Sequence, residues 1–193
     1  SENNKNYTSI EGVLFNKSTT SLMSYPCGKK ATCYTTPSKT DCINSYAFFK
    51  CTNIQKIILN EVEYIGSCAF IECTNLKSIE ASEYLNDIGS FAFGSDVNTG
   101  YENTVWYNNQ QEGCTYVGNV LYNYKGAITE ETNMVIKYGT KDLSSNFYNE
   151  MSTWRNNSFQ SASVPDTITE LNGCGYCKVK KIFISNESTR ITP

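Results

Sequence analysis

Apolar residues fall at the same places twice between Ile43 and Ala81. INSYAFFKCTNIQKIIL is followed by NEVEY and then by IGSCAFIECTNLKSIEA, offset by 22 residues. Ile43 aligns with Ile65, Ala47–Phe48 with Ala69–Phe70, Cys51 with Cys73, Ile54 with Leu76, Ile57 with Ile79 and Leu59 with Ala81. A third, partial copy follows at a spacing of 23, as Ile88–Gly89 and Ala92–Phe93. A fixed period in the low twenties with apolar residues at constant phases is the mark of a solenoid. One coil cannot bury its own apolar face, so neighbouring coils must stack.

Within a copy the phases predict elements. Leu76 to Ala81 ends in alternation, with Ile79 and Ala81 inward and Ser78 and Glu80 outward, as in a short strand of a parallel sheet. Ser67 to Cys73 is too short for an independent helix, and one or two helical turns are expected, with Ala69, Phe70 and Cys73 inward. Asn53 and Asn75 can satisfy loop backbone groups through their side chains. Gly66 and Gly89 are expected where the chain turns sharply.

Outside this stretch the pattern changes. Residues 7–33 read as an N-terminal hairpin, with Glu11–Gly12 as turn between Ser9–Ile10 and Val13–Phe15. Coils 1–3 are expected over 34–96 and a hairpin insertion over 97–134, where Val120–Asn123 echoes Val13–Asn16 across a Gly118–Asn119 turn. Two diverged coils and a tail follow over 135–193. They are marked by Lys137, Thr140 and Leu143, then Pro165, Ile168 and Leu171, with strands at 159–164 and 179–184. All of it is expected to form a single domain, 1–193.

The pattern I-G-x-x-A-F-x-x-C-x-x-L-x-x-I, carried by Ile65–Gly66, Ala69–Phe70, Cys73, Leu76 and Ile79, resembles the BspA-type (treponemal-type) leucine-rich repeat of bacterial surface proteins, which also occurs in some protozoan parasites. Asn44 replaces the glycine in the preceding copy. The hairpin segments GVLFN…L…YP and WYNNQ…VLYNYKG resemble segments of the same family, so the likeness covers nearly the whole chain. The expected fold class is α/β: a leucine-rich-repeat solenoid of about five coils with a parallel β-sheet, short helical turns and two inserted β-hairpins. The resemblance implies an extracellular or cell-surface protein that mediates adhesion or protein–protein contact, with a host, neighbouring-cell or matrix protein as partner.

Composition narrows the functional classes. Hydrophobic residues make up 39% and charged residues 18%, a composition of neither a disordered nor a membrane chain. No apolar run reaches the ~20 residues of a membrane span, so no transmembrane segment is expected. The polar opening SENNKNYTS offers no basic and apolar leader, and no signal peptide is expected in it. The net charge of −3, with only small clusters at Lys29–Lys30 and Lys178 to Lys181, argues against nucleic acid as partner. There is no histidine, which removes His-ligated metals and His-based catalysis.

Among the nine cysteines, Cys51 and Cys73 share a repeat phase and are expected as a buried, reduced ladder, set against a disulfide or a ligand pair. Cys174–Gly175–Tyr176–Cys177 has neither a strand-to-helix start nor a second pair, which favours a structural role, a disulfide included, over redox or metal chemistry. Asp96 to Glu102 departs from calcium-loop spacing and reads as a polar surface loop. Glu61 and Glu63 read as a solvated face. Asn6, Asn16, Asn156 and Asn186 head N-glycosylation sequons, which count only in a glycosylating source. No catalytic residue, metal ligand or cofactor is expected.

The candidate partner-binding residues are the outward strand positions Lys56, Ile58, Ser78, Glu80, Lys181 and Phe183, since outward apolar residues flanked by charge mark contact patches. A carbohydrate-binding module built on Trp106 and Tyr107 is the alternative, against a reading in which both rings cover the open edge beside the insertion.

Overall fold

The computed structural model describes residues 4–95, 100–148, 158–168, 170–171, 178–184 and 190–191. The chain gathers into two compact units, Ser1–Gln110 and Gln111–Pro193, divided inside the segment read as an insertion.

In the first unit the strands are β1 (Tyr7–Ile10), β2 (Val13–Asn16), β3 (Ser21–Ser24), β4 (Cys33–Thr35), β5 (Cys42–Ile43), β6 (Lys56–Leu59), β7 (Tyr64–Ile65), β8 (Ser78–Ala81) and β9 (Asp87–Ile88), followed by the helix α1 (Val105–Asn108). Each coil contributes one longer strand to a parallel β4–β6–β8 sheet and one two-residue strand to a second sheet, ordered β1–β2–β3–β5–β7–β9. The columns between these sheets are the repeat phases made solid. Leu22, Ile43, Ile65 and Ile88 are fully buried, as are Ile54 with Leu76 and Thr40 with Val62. β8 is the last strand of its sheet, so Ile79 and Ala81 face inward yet stay half-exposed.

Tyr25, Phe48, Phe70 and Phe93 form an aromatic ladder through the unit, with successive stacked centroids 4.8, 4.8 and 5.1 Å apart. Burial of each such ring is worth about 2–3 kcal/mol.

The expected helical turns are not helices. Tyr46, Lys50, Cys68, Glu72 and Phe91 hold left-handed backbone at φ 60, 63, 56, 59 and 58°, which an α-helix does not allow. The reason is where their amides point. Phe48 N–H donates to Ala69 O and Phe70 N–H to Ala92 O, each at 2.8 Å, and Tyr46 N–H donates to Ser67 O at 3.1 Å. Bonds that a helix would spend on its own preceding turn run to the next coil instead. The left-handed residues cost about 1 kcal/mol each and are held by this ladder. Among the described residues helix is confined to α1 and to 145–148, so the fold is mostly β rather than α/β.

The glycines of the repeat also act differently from expectation. At Gly66 a Cβ would lie 2.3 Å from the Ser45 backbone nitrogen, and at Gly89 2.5 Å from that of Ser67. Close approach of adjacent coils demands glycine there; a left-handed φ does not. Gly66 N–H donates to Ile43 O at 2.7 Å, as Gly89 N–H does to Ile65 O.

Hairpins do form, but as parts of the sheets rather than decorations. β1 and β2 pair antiparallel across Glu11–Gly12, β2 pairs antiparallel with β3, and β3 runs parallel to β5, Leu22 opposite Ile43.

The second unit repeats this plan with β10 (Gly113–Val117), β11 (Val120–Lys125), β12 (Asn133–Val135), β13 (Asp142–Leu143), β14 (Ser158–Val164), β15 (Glu170–Leu171), β16 (Lys178–Ile184) and β17 (Arg190–Ile191). The β10–β11 hairpin continues through β11 into the parallel partner β13, with Leu121 opposite Leu143. β12, β14 and β16 form a parallel sheet, and β15 pairs with β17. Leu121, Met134, Ile136, Leu143, Phe147, Val164 and Ile168 make its core. Here β11 takes the place that β3, not its sequence likeness β2, holds in the first unit.

Candidate functional site

The outward face of β4–β6–β8 brings four of the candidates together. In-register pairing aligns Cys33, Lys56 and Ser78 in one row and Thr35, Ile58 and Glu80 in the next. Lys56 and Glu80 join across these rows in an ion pair, and the carboxylate raises the pKa of the ammonium. Ile58 is half-buried beside them. This face is polar and internally neutralised, and solvent screens an exposed pair of this kind.

Lys181 and Phe183 lie on β16 in the second unit. Asn133, Ser161 and Lys181 form one row; Val135, Ser163 and Phe183 form the next. Val135 is 65% exposed and Phe183 57%. Tyr138, 78% exposed, stands beside Phe183, Ile184 and Pro165 around a shallow groove of about 320 Å³. Val135 and Tyr138 were missed in the sequence. The signal exists, since Met134 and Ile136 alternate inward around Val135. The successive offsets from Asn133 to Ser161 and from Ser161 to Lys181, 28 and 20 residues, obscure it by breaking the 22-residue period.

Trp106 and Tyr107 sit on α1, capped by the Thr104 hydroxyl, which accepts from Tyr107 N–H. Tyr107 is fully buried, and Trp106 packs edge-on against Phe93 at 5.1 Å while its amide donates to Leu76 O. α1 thus covers the end of the aromatic ladder, and Tyr107 offers no face to a sugar.

A second exposed cluster, also missed in the sequence, lies on the turn side of the first unit. Tyr46 meets Phe49 edge-to-face at 5.8 Å, and Tyr101 meets Phe49 the same way at 5.9 Å. The Lys50 ammonium lies 5.1 Å over the Phe49 ring and 3.3 Å from the Glu72 carboxylate. Nothing in the repeat pattern singles out Tyr46 and Phe49, because both occupy its variable positions.

The cysteine ladder is corrected. Cys51 is bridged to Cys27, one coil earlier, while Cys73 is free and buried, its thiol 2.9 Å from Phe48 O. Repeat phase stacks Cys51 on Cys73, but the chain from Tyr25 onward also stacks on this coil, through Tyr25 N–H to Ala47 O at 2.8 Å, and brings Cys27 to the other side of Cys51. Burial pushes the Cys73 thiol up to about 12 and that of Cys114 to about 11. Such thiols are held protonated and are poor nucleophiles. Cys174 and Cys177 lie outside the described residues, as does most of the Asp96–Glu102 loop. Glu61 and Glu63 are exposed beside Lys39, Asp41 and Tyr84. Among the described residues no group of three or more His, Cys, Asp or Glu is placed to hold a metal.

The sequence profile "BspA type Leucine rich repeat region (6 copies)" matches residues 5–101 and 38–164. The chain belongs to the BspA-type leucine-rich-repeat family. Among solved structures it is similar to the pneumococcal vaccine antigen PcpA, at 21% identity and a TM-score of 0.53 over the whole of this chain and 40% of the antigen. A leucine-rich cell surface protein of Faecalibacterium prausnitzii matches at 18% identity and TM-score 0.47, over 95% of this chain and 40% of that one. The leucine-rich repeat protein of T. pallidum matches at 19% and 0.45, over 85% of this chain and 77% of that one. The likeness to PcpA shows a mostly β leucine-rich-repeat solenoid fold, and the BspA-type chain spans about 40% of the antigen's length. No curated protein sequence matches the chain. Among the described residues no helix is long and apolar enough to cross a membrane.

Proposed function

We propose that this BspA-type chain is a non-catalytic protein-interaction or adhesion module, acting outside the cell or at its surface, that binds a macromolecular partner on the outward faces of its repeat sheets. The observation that carries the reading is the row Val135, Ser163 and Phe183, whose two apolar residues are both more than half exposed, with Tyr138 beside Phe183. Leaving large apolar side chains in water has no value for folding, whereas a partner that covers them gains about 25 cal/mol per Å² of apolar surface. The names of the bacterial neighbours, a vaccine antigen and a cell surface protein, support the surface location. A host, neighbouring-cell or matrix protein is the partner this reading favours.

Lys56, Ile58, Ser78 and Glu80 form a second, more polar contact face in this proposal, and Lys181 borders the apolar one. The test is capture from matrix and cell-surface extracts with the intact chain, then with Val135→Asp combined with Phe183→Asp, and with Ile58→Asp combined with Phe183→Asp. Each pair is expected to weaken capture at least tenfold with unchanged thermal stability. Capture that is indifferent to both pairs overturns the sheet-face reading.

A further inference from the structure

The turn side of the first unit carries exposed aromatic surface that neither the fold nor the sheet-face reading uses. Tyr46 is 51% exposed and Tyr101 42%, with Phe49 half-buried between them. The interplanar angles, 86° for Tyr46 and 84° for Tyr101, set both tyrosine rings nearly perpendicular to Phe49. Lys50 and Glu72 border the cluster as an ion pair.

We propose that Tyr46, Phe49 and Tyr101, with Lys50 and Glu72 at their edge, form a subsite for a small, neutral sugar ring. Three physical features select this ligand class. The first is surface type: an exposed aromatic ring presents an apolar face and, in tyrosine, a polar tip, and a pyranose presents a C–H face and a hydroxyl rim. Lys50 is a donor and Glu72 an acceptor at the border, where hydroxyl groups are best read.

The second feature is charge. Lys50 and Glu72 are 3.3 Å apart and neutralise one another, so an ionic ligand meets no unpaired countercharge from them. The third is size. In the next coil the positions of Tyr46 and Phe49 are taken by Cys68 and Ile71, which are 6% and 1% exposed. In the coil after that, half-buried Phe91 takes the position of Tyr46 and Gly94 that of Phe49, so the row of exposed aromatics is interrupted at the middle coil. A protein partner laid along the stack would require rows that continue from coil to coil, as those of the sheets do.

The cost to the fold is visible as well. Tyr46 holds φ 60°, a conformation that asparagine adopts more readily than tyrosine, and its ring is not needed in the core.

The experiment uses the full chain on an array of neutral hexose and N-acetylhexosamine oligosaccharides beside sialylated and sulfated ones, followed by saturation-transfer NMR with the bound neutral glycans. Binding of neutral glycans is expected, with saturation reaching sugar C–H protons. Tyr46→Asn combined with Tyr101→Ala is expected to weaken it at least tenfold, and Tyr101→Ala alone severalfold, while Val135→Asp with Phe183→Asp leaves it unchanged. Circular dichroism and thermal unfolding confirm that each variant is folded. Failure of every neutral glycan to bind overturns the proposal, as does binding of charged glycans only or neutral binding that survives the aromatic double change. If the same double change abolishes capture of a protein partner while no glycan binds, the patch is a protein contact and the sugar assignment is wrong. The sheet-face proposal is decided separately by its own variants.

Discussion

Gly66→Ala isolates what holds the coils at their spacing. Gly66 is not in the left-handed region, so alanine meets no backbone penalty there, and the effect comes from contact alone. The added Cβ would sit 2.3 Å from Ser45 N and 2.7 Å from Asn44 C, whereas carbon contacts need about 3.5 Å. Both neighbours are backbone and cannot rotate away, so the coils must part locally by roughly 1 Å. That stretches the 2.7 Å bond from Gly66 N–H to Ile43 O beyond hydrogen-bonding range. Overpacking of this kind costs ~1–3 kcal/mol and the lost bond ~1 kcal/mol. Against them stands the smaller unfolded-chain entropy of alanine, ~0.4–1 kcal/mol. The net destabilisation is ~1–3.5 kcal/mol, or a drop of roughly 0.5–2 M in the urea midpoint. Gly28→Ala is the control, since nothing lies within 4 Å of its Cβ position; it is expected to be neutral or stabilised by up to ~1 kcal/mol. Equal urea midpoints for the two variants would falsify the close-approach account.

Phe70→Ala removes a stacked, fully buried ring from the middle of the aromatic ladder and should cost ~3–5 kcal/mol by urea unfolding. Glu80→Ala, exposed, should cost under ~0.5 kcal/mol. Peptide mapping without reduction should recover Cys27 linked to Cys51. In the native protein, alkylation should reach Cys33 and spare Cys68 and Cys73 until denaturant is added. Reducing the bridge, which closes 24 residues of separation, should lower stability by ~3 kcal/mol. At high pH the unfolded chain releases the Cys73 proton near 9.0 while the folded chain keeps it to about 12. The unfolded state then binds fewer protons, so stability is unaffected below that window. It falls as pH rises through it, by ~1.4 kcal/mol per pH unit at the steepest. Cys73→Ala should flatten this alkaline slope in urea midpoints measured from pH 8 to 11, and an unchanged slope rules Cys73 out as a contributor.

The period of the apolar positions alone determined the stack. Ile43 with Ile65, Phe48 with Phe70 and Ile54 with Leu76 could be placed in columns because a coil has no other way to bury them. The family motif and the strands near 159–164 and 179–184 were legible for the same reason. What the sequence could not determine is where backbone amides find their partners. Ser67 to Cys73 reads equally well as helix or as turns, and only the neighbouring coil, accepting bonds such as Phe70 N–H to Ala92 O, decides for turns. The bridge from Cys27 to Cys51 was hidden likewise, because it depends on how a segment without the repeat pattern packs on the first coil. Variable positions are silent by nature. Tyr46 and Phe49 gain their meaning from Tyr101, more than 50 residues away, and Val135 gains its meaning from Phe183 through the register of three strands. Repetition writes the core into the sequence, whereas the exposed faces exist only once the coils are laid against each other.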